Sequence, residues 1–163
     1  MEVLNLKLQD ILILVEDRRF YWHLGIDPIA ICRSLLVNLK SGRYAEGAST
    51  LTQQLARRIY LTNRKTLIRK LKEVFIAFYL EAKYNKKQIL DLYMSSAYMG
   101  EGIVGFESAS LHFFNKQLNE INLMEKIALV GMLKGPNTYG PRSEKGVKRQ
   151  KLILSMIMAK AQS

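Results

Sequence analysis

Thr66-Leu67-Ile68-Arg69-Lys70-Leu71-Lys72-Glu73-Val74-Phe75-Ile76-Ala77-Phe78-Tyr79-Leu80-Glu81-Ala82-Lys83-Tyr84 is the stretch on which the fold turns. Its apolar residues recur at helical spacing, so it reads as one long helix. At about 100° per residue, Lys65, Arg69 and Glu73 share one stripe, and Leu67, Leu71, Val74, Phe75 and Phe78 fall on the opposite side. Further along the charged stripe come Ile76 and Leu80. The helix therefore starts with one wet, charged face and continues apolar on both sides. That is the pattern of a central helix lining a cleft with its first half. The plainer alternative is an i,i+4 ion pair of Glu73 with Arg69 on a solvated face. The change from charged to apolar along one stripe argues against it.

Working outward, the periodicity stays helical. Leu4, Leu8, Ile11, Leu12 and Val15 form an amphipathic first helix. Asp27-Pro28 opens a second, with Asp27 as N-cap and Pro28 at the first helical position, running to about Lys40 and stopping at Gly42. Ser49 or Thr50 caps a third that reaches about Tyr60, and Thr50 and Gln53 have capping-box spacing. Beyond the long helix, others run from about Lys86 to before Gly100, after Gly105, from the Asn122/Glu125 capping box to about Leu133, and from about Glu144 to Lys160. Gly135-Pro136 and Gly140-Pro141 mark a loop. No alternating strand, repeat or low-complexity linker interrupts this order. The class is all-α, a single compact domain over residues 1–163.

Hydrophobic residues make up 48% and charged residues 24%, which suits a folded chain with a real core. A net charge of +11 points to an anionic partner: nucleic acid, an acidic membrane surface or a phosphorylated substrate. The one cysteine, Cys32, excludes an internal disulfide and a cysteine-rich zinc site. It lies among Ile29, Ala30, Ile31, Leu35 and Leu36, and is expected to be a buried structural thiol. Val3 to Val15 is too short and too polar to span a membrane, and has no signal-peptide pattern.

Three clusters could carry chemistry. The first is Glu16-Asp17-Arg18-Arg19-Phe20-Tyr21-Trp22-His23-Leu24-Gly25-Ile26-Asp27, where carboxylates beside aromatics suit a general base. Its plain alternative is an inter-helix loop with Phe20 and Trp22 plugging the core. His23 reads as a hydrogen-bonded structural residue: His112 is remote, and no His, Cys and carboxylate set has zinc spacing. The second is Gly47 to Arg58, where Ser49 and Thr50 open a helix N-terminus able to meet an anion. Gln53 and Gln54 add uncharged donors and acceptors suited to sugars, and Arg57 adds a fixed charge. The alternative there is an ordinary capped helix. The third is the Lys65, Arg69, Glu73 stripe.

Together these clusters resemble glycosyltransferase family 51, the peptidoglycan glycosyltransferases, from about Leu14 to Met156. The family's Glu-Asp-x-x-Phe-x-x-His-x-Gly stands at Glu16, Asp17, Phe20, His23 and Gly25. Gly-x-Ser-Thr-x-Thr-Gln-Gln-Leu stands at Gly47 and Ser49 to Leu55, and Arg-Lys-x-x-Glu at Arg69, Lys70 and Glu73. A fourth motif resembles Lys86 to Gly100, with Ile89, Leu90, Tyr93, Tyr98 and Gly100 in place. A fifth resembles Ala128 to Pro141, with Pro136, Tyr139 and Pro141. Arg57 replaces the usual Lys, Arg58 the usual Asn, Asp91 a Glu and Ser95 an Asn. The family normally carries an N-terminal membrane anchor, and many members carry a transpeptidase domain. Neither stands within these 163 residues.

The resemblance implies a lysozyme-like helical fold and a lipid II substrate. The glycan chain on undecaprenyl pyrophosphate would be the donor and the 4-hydroxyl of lipid II the nucleophile. Glu16 would be the base, with Glu73 orienting reacting groups and cations and with Asp17 and His23 in support. Ser49, Thr50, Gln53, Gln54, Arg57, Lys65, Arg69 and Lys70 would bind substrate and pyrophosphate. A divalent cation, Mg or Mn, could assist the pyrophosphate, although the sequence shows no metal site. The expected setting is the periplasmic face of the bacterial inner membrane, with the membrane surface and cell-wall synthesis proteins as partners and no nucleic acid. Leu35, Leu36, Val37 and Leu39, before Ser41 to Tyr44, offer apolar surface near basic groups that suits shallow insertion among headgroups. Against that stands the expectation that most of these leucines are core. A lysozyme-type hydrolase with Glu16 as acid is one rival. A non-catalytic basic module binding acidic lipid or nucleic acid is the other.

Overall fold

The computed structural model describes residues 6–43, 47–61 and 66–162. Among them eight α-helices follow one another: α1 (Leu8–Glu16), α2 (Pro28–Ser41), α3 (Leu51–Tyr60), α4 (Leu67–Lys83), α5 (Lys86–Ser96), α6 (Phe106–Phe114), α7 (Leu123–Met132) and α8 (Glu144–Ala161). A single 3-10 turn covers Phe20–Trp22. The one β-type pairing among the described residues is an isolated bridge between Tyr98 and Val104. The chain is all-α.

The caps fall where local chemistry requires them. Asp27 accepts from the Ala30 N–H at the start of α2, Pro28 takes the first position, and Gly42 closes the helix in the left-handed conformation at φ 63°. Full capping boxes open α3 at Thr50 and Gln53 and α7 at Asn122 and Glu125. Thr66 caps α4 by accepting from the Arg69 N–H. The first helix is shorter than its hydrophobic period suggests, beginning at Leu8. Leu4 lies outside the described residues.

The contacts divide the chain into two compact units, residues 1–15 with 94–163, and residues 16–93. In the first, Ile11 and Leu12 of α1, Phe106 of α6, Ile127 and Leu129 of α7 and Ile153 of α8 are almost fully buried. There α7 packs against α6 and α8. In the second, α3 packs against α4, and Phe20, Leu51, Leu55, Ala77, Leu80 and Tyr93 are sealed from water.

The second unit reverses two expectations. On α4 the buried stripe is Glu73, Ala77 and Leu80, so the stripe begun by the charged residues faces inward. The apolar side is the exposed one: Leu67 is 86% exposed, Leu71 61%, Phe75 72% and Phe78 46%. On α2 only Ser34 is buried. Ile29, Leu35, Leu36 and Leu39 are exposed, and so is Cys32, which is therefore not a buried thiol. Burying a Leu or Phe side chain is worth about 1.5–3 kcal/mol. These two helices thus leave a wide apolar surface uncovered. Beside its apolar core the unit also buries Asp17, His23, Asp27 and Glu73.

Candidate active site

Glu16 is the last residue of α1 and is half-buried. Gln54, from the first turns of α3, donates through Nε2 to Glu16 Oε2 at 3.1 Å. The Gln54 Oε1 in turn accepts from the Tyr93 hydroxyl at 2.9 Å. Arg58, one helical turn after Gln54, donates to the same hydroxyl at 3.0 Å, and its guanidinium lies 4.2 Å over the Tyr93 ring. Burial pushes the Tyr93 phenol well above its ordinary value. The Glu16 charge acts in the same direction, and the charges of Arg58 and Arg57 oppose both. The Tyr93 proton therefore stays on its oxygen.

The residue after Glu16 clamps the loop. The buried Asp17 accepts from the Leu51 N–H at 2.9 Å, at the positive end of α3, and from His23 Nε2 at 3.0 Å. His23 Nδ1 accepts from the Gly25 N–H, so Nε2 is the nitrogen that carries the proton toward Asp17. Thr50 Oγ1 donates to the Gly25 carbonyl at 2.7 Å while accepting from the Gln53 N–H. Gly25 sits at φ 93°, and a Cβ there would come within 3.1 Å of the Ala77 backbone on α4. Only glycine lets the loop pass so close. Phe20 fills the core beneath this loop, but Trp22 does not: it is 85% exposed.

The third cluster is tied to the second through α4. Glu73 has no exposure to solvent, and its carboxylate is held by Arg69 Nη1 at 2.9 Å and Lys70 Nζ at 2.6 Å. The same ammonium donates to Ser49 Oγ at 3.0 Å. The Arg69–Glu73 pair is thus present, but on a buried face and not a solvated one.

The start of α3 is accordingly the shared support, with Gln54 reaching Glu16, the Leu51 N–H reaching Asp17, and the neighbouring Ser49 reaching Lys70. Thr50 and Gln53 are buried, and their capping bonds are internal, so these two side chains hold the helix start. Arg57 is half-buried; its carbonyl accepts from the Leu61 N–H at the end of α3, and its guanidinium is paired with no other described side chain. Lys65 lies outside the described residues. Among those residues no three His, Cys, Asp or Glu side chains gather into a metal cage, and the Glu73 carboxylate is already occupied by two cations.

Sequence reasoning left out part of the machinery. Glu81 accepts from Thr52 Oγ1 at 2.6 Å and from Lys86 Nζ at 2.8 Å, and Lys86 also donates to the His23 carbonyl. Thr52 and Lys86 stand inside two of the quoted motifs, but Glu81 lies between motifs and nothing marked it. Tyr93 was visible as a motif residue, without the Arg58 contact that gives it a role. Asp91 and Ser95, two departures from the family pattern, are exposed.

A family model described as Transglycosylase matches residues 1–158. Over 157 residues the chain is 43% identical to penicillin-binding protein 1B of Vibrio cholerae, covering 93% of this chain and 20% of that protein. It is 41% identical to penicillin-binding protein 1A of Aquifex aeolicus, over 88% of this chain and 20% of the relative. It is also 41% identical to penicillin-binding protein 1B of Escherichia coli, over 92% and 18%. The chain spans about a fifth of the length of these relatives. With a match running almost from end to end, and with the motif residues gathered around the start of one helix, this chain belongs to the transglycosylase family.

Proposed function

We propose that this chain joins lipid-linked disaccharides into glycan strands, with Glu16 as general base and undecaprenyl pyrophosphate as the leaving group. The observation that carries the reading is the Gln54–Glu16 bond at 3.1 Å, which aims an amide donor at the carboxylate and holds it as an acceptor. Glu16 takes the proton of the lipid II 4-hydroxyl as that oxygen bonds to the anomeric carbon of the donor. The bond from that carbon to pyrophosphate breaks on the opposite face, which inverts the centre to a β-1,4 link. General-base assistance of this kind contributes about 10²–10⁴-fold. The departing pyrophosphate gathers negative charge, and Arg57, Arg69 and Lys70 supply the fixed cations to receive it. Glu73 orients Arg69 and Lys70 through an ion pair at each of its two oxygens.

The lipid tail of such a substrate stays in a bilayer, so the chain must work at the interface. No helix among the described residues is long and apolar enough to cross a membrane. The exposed apolar faces of α2 and α4 supply the surface for shallow insertion, and the +11 net charge favours anionic headgroups.

The test is purified protein with labelled lipid II in detergent, resolved on a gel. Polymer from the wild-type chain and none from Glu16→Gln, at unchanged helicity, is the expected result. Polymer from Glu16→Gln would remove the base assignment. Cleavage of preformed glycan in place of synthesis would favour the hydrolase.

A further inference from the structure

Arg58 is the one basic residue of α3 whose side chain is committed to a single partner, and that partner leads to Glu16. Arginine has only donors to offer, so the Tyr93 oxygen must accept from it. The phenol keeps its own proton, since burial holds Tyr93 in the protonated form. That proton goes to Gln54 Oε1 at 2.9 Å. With its oxygen so engaged, the Gln54 amide must present Nε2 to Glu16, as it does at 3.1 Å. A flipped amide would aim an oxygen at Glu16, and an ionised carboxylate would be repelled by it. Each step of the chain is thus fixed in direction by the chemistry of the step before.

We propose that Arg58 is a positioning residue for the reaction, acting through Tyr93 to lock the Gln54 amide so that its Nε2 always faces Glu16. This rests on the reading of Glu16 as the base. Arg58 touches neither the base nor the reacting atoms. Its guanidinium holds the phenol from two sides, by the hydrogen bond at 3.0 Å and by stacking at 4.2 Å, so the hydroxyl has one orientation left. A general base is effective only where its lone pair is aimed, and a small misplacement costs far more than the hydrogen bond that prevents it.

The experiment is steady-state polymerisation of labelled lipid II by the 163-residue chain and five variants. Arg58→Met keeps the side-chain length over the ring but offers no donor. Tyr93→Phe keeps the ring but has no hydroxyl. Each is expected to lower kcat about tenfold, the scale of one lost hydrogen bond, with KM within about twofold of wild type. The double variant is expected to be no slower than the slower single, because both act on one chain. Arg58→Lys, which restores a donor, is expected to recover part of kcat. Thermal unfolding of every variant separates these effects from loss of fold. Wild-type kcat in Arg58→Met or Tyr93→Phe would overturn the proposal, as would a raised KM at unchanged kcat or a fully additive double variant. Glu16→Gln is the fifth variant. If it still polymerises, the reading of the base fails and takes the relay with it. If it is dead while Arg58→Met and Tyr93→Phe run at the wild-type rate, only the relay fails.

Discussion

Removing the charge of Glu73 tests the inside of the second unit directly. The change is Glu73→Gln, which keeps the volume and leaves Arg69 and Lys70 without their counter-charge. Breaking a buried ion pair from one side costs about 3–5 kcal/mol, because the surviving charge stays desolvated. The two cations do not suffer equally. The Lys70 side chain is 43% exposed and can turn to water, whereas that of Arg69 is 15% exposed and is held at the helix surface. The glutamine oxygen can still accept from Arg69, but its NH₂ then opposes the Lys70 ammonium, donor against donor. The low end of the range applies, about 3 kcal/mol. For a chain of this size that lowers Tm by about 6–12 °C. Circular dichroism at helical wavelengths during heating measures it, with Leu67→Ala on the same helix as control. Leu67 is 86% exposed, so the control should unfold close to wild type. A Glu73→Gln midpoint within about a degree of wild type would refute the reasoning, since a 3 kcal/mol loss cannot hide there.

Other outcomes follow from the same geometry. Leu71→Glu with Phe75→Glu should abolish binding to neutral liposomes in flotation, since two buried apolar side chains are worth about 3–6 kcal/mol together; binding that persists in the double variant would mean that α4 does not insert. Residual binding to anionic liposomes should be lost at high salt as the basic surface is screened. Arg69→Ala should cut lipid II turnover about a hundredfold, the scale of one lost electrostatic donor, and a wild-type rate would leave Arg69 only the task of holding Glu73. Glu125 gives a pH signature: burial works against ionisation, but Lys116 and the Asn122 N–H hydrogen-bond the carboxyl and hold it below its ordinary 4.5. A lowered folded value means stability that is present above the unfolded value and lost as pH falls beneath it. Glu125→Gln should therefore flatten the acid side of the stability profile, and an unchanged slope would show that the pair contributes nothing there.

The helix order was readable because caps are local events. Asp27-Pro28, Thr50 with Gln53 and Asn122 with Glu125 need only neighbours within a few residues, and each stands where its pattern placed it. The inside of the second unit was not readable, because a hydrophobic stripe shows that a face wants to leave water without naming what will cover it. Phe75 and Leu71 look like core residues on that rule, and so do Leu35 and Leu36 on α2; the structure leaves all four exposed. Cys32 was misread for the same reason. The site shows the opposite balance. Its side chains were legible in the motifs, but the links among them were not, because Gln54 with Glu16 and Arg58 with Tyr93 lie 38 and 35 residues apart. Arg58 stood out only as a departure, and its purpose needed the Tyr93 contact.

The loop after Glu16 buries Phe20, His23 and Gly25 and exposes the residues between them. Trp22 is among the exposed ones at 85%, and it is the one tryptophan in the chain. The protein therefore carries its own optical reporter, six residues from the carboxylate at the centre of the site. Its fluorescence starts from a water-facing indole, so burial of this loop in lipid would move the emission toward shorter wavelengths, with no other indole to mask the change. Docking of the loop on a bilayer can then be tested in the unlabelled chain, in real time.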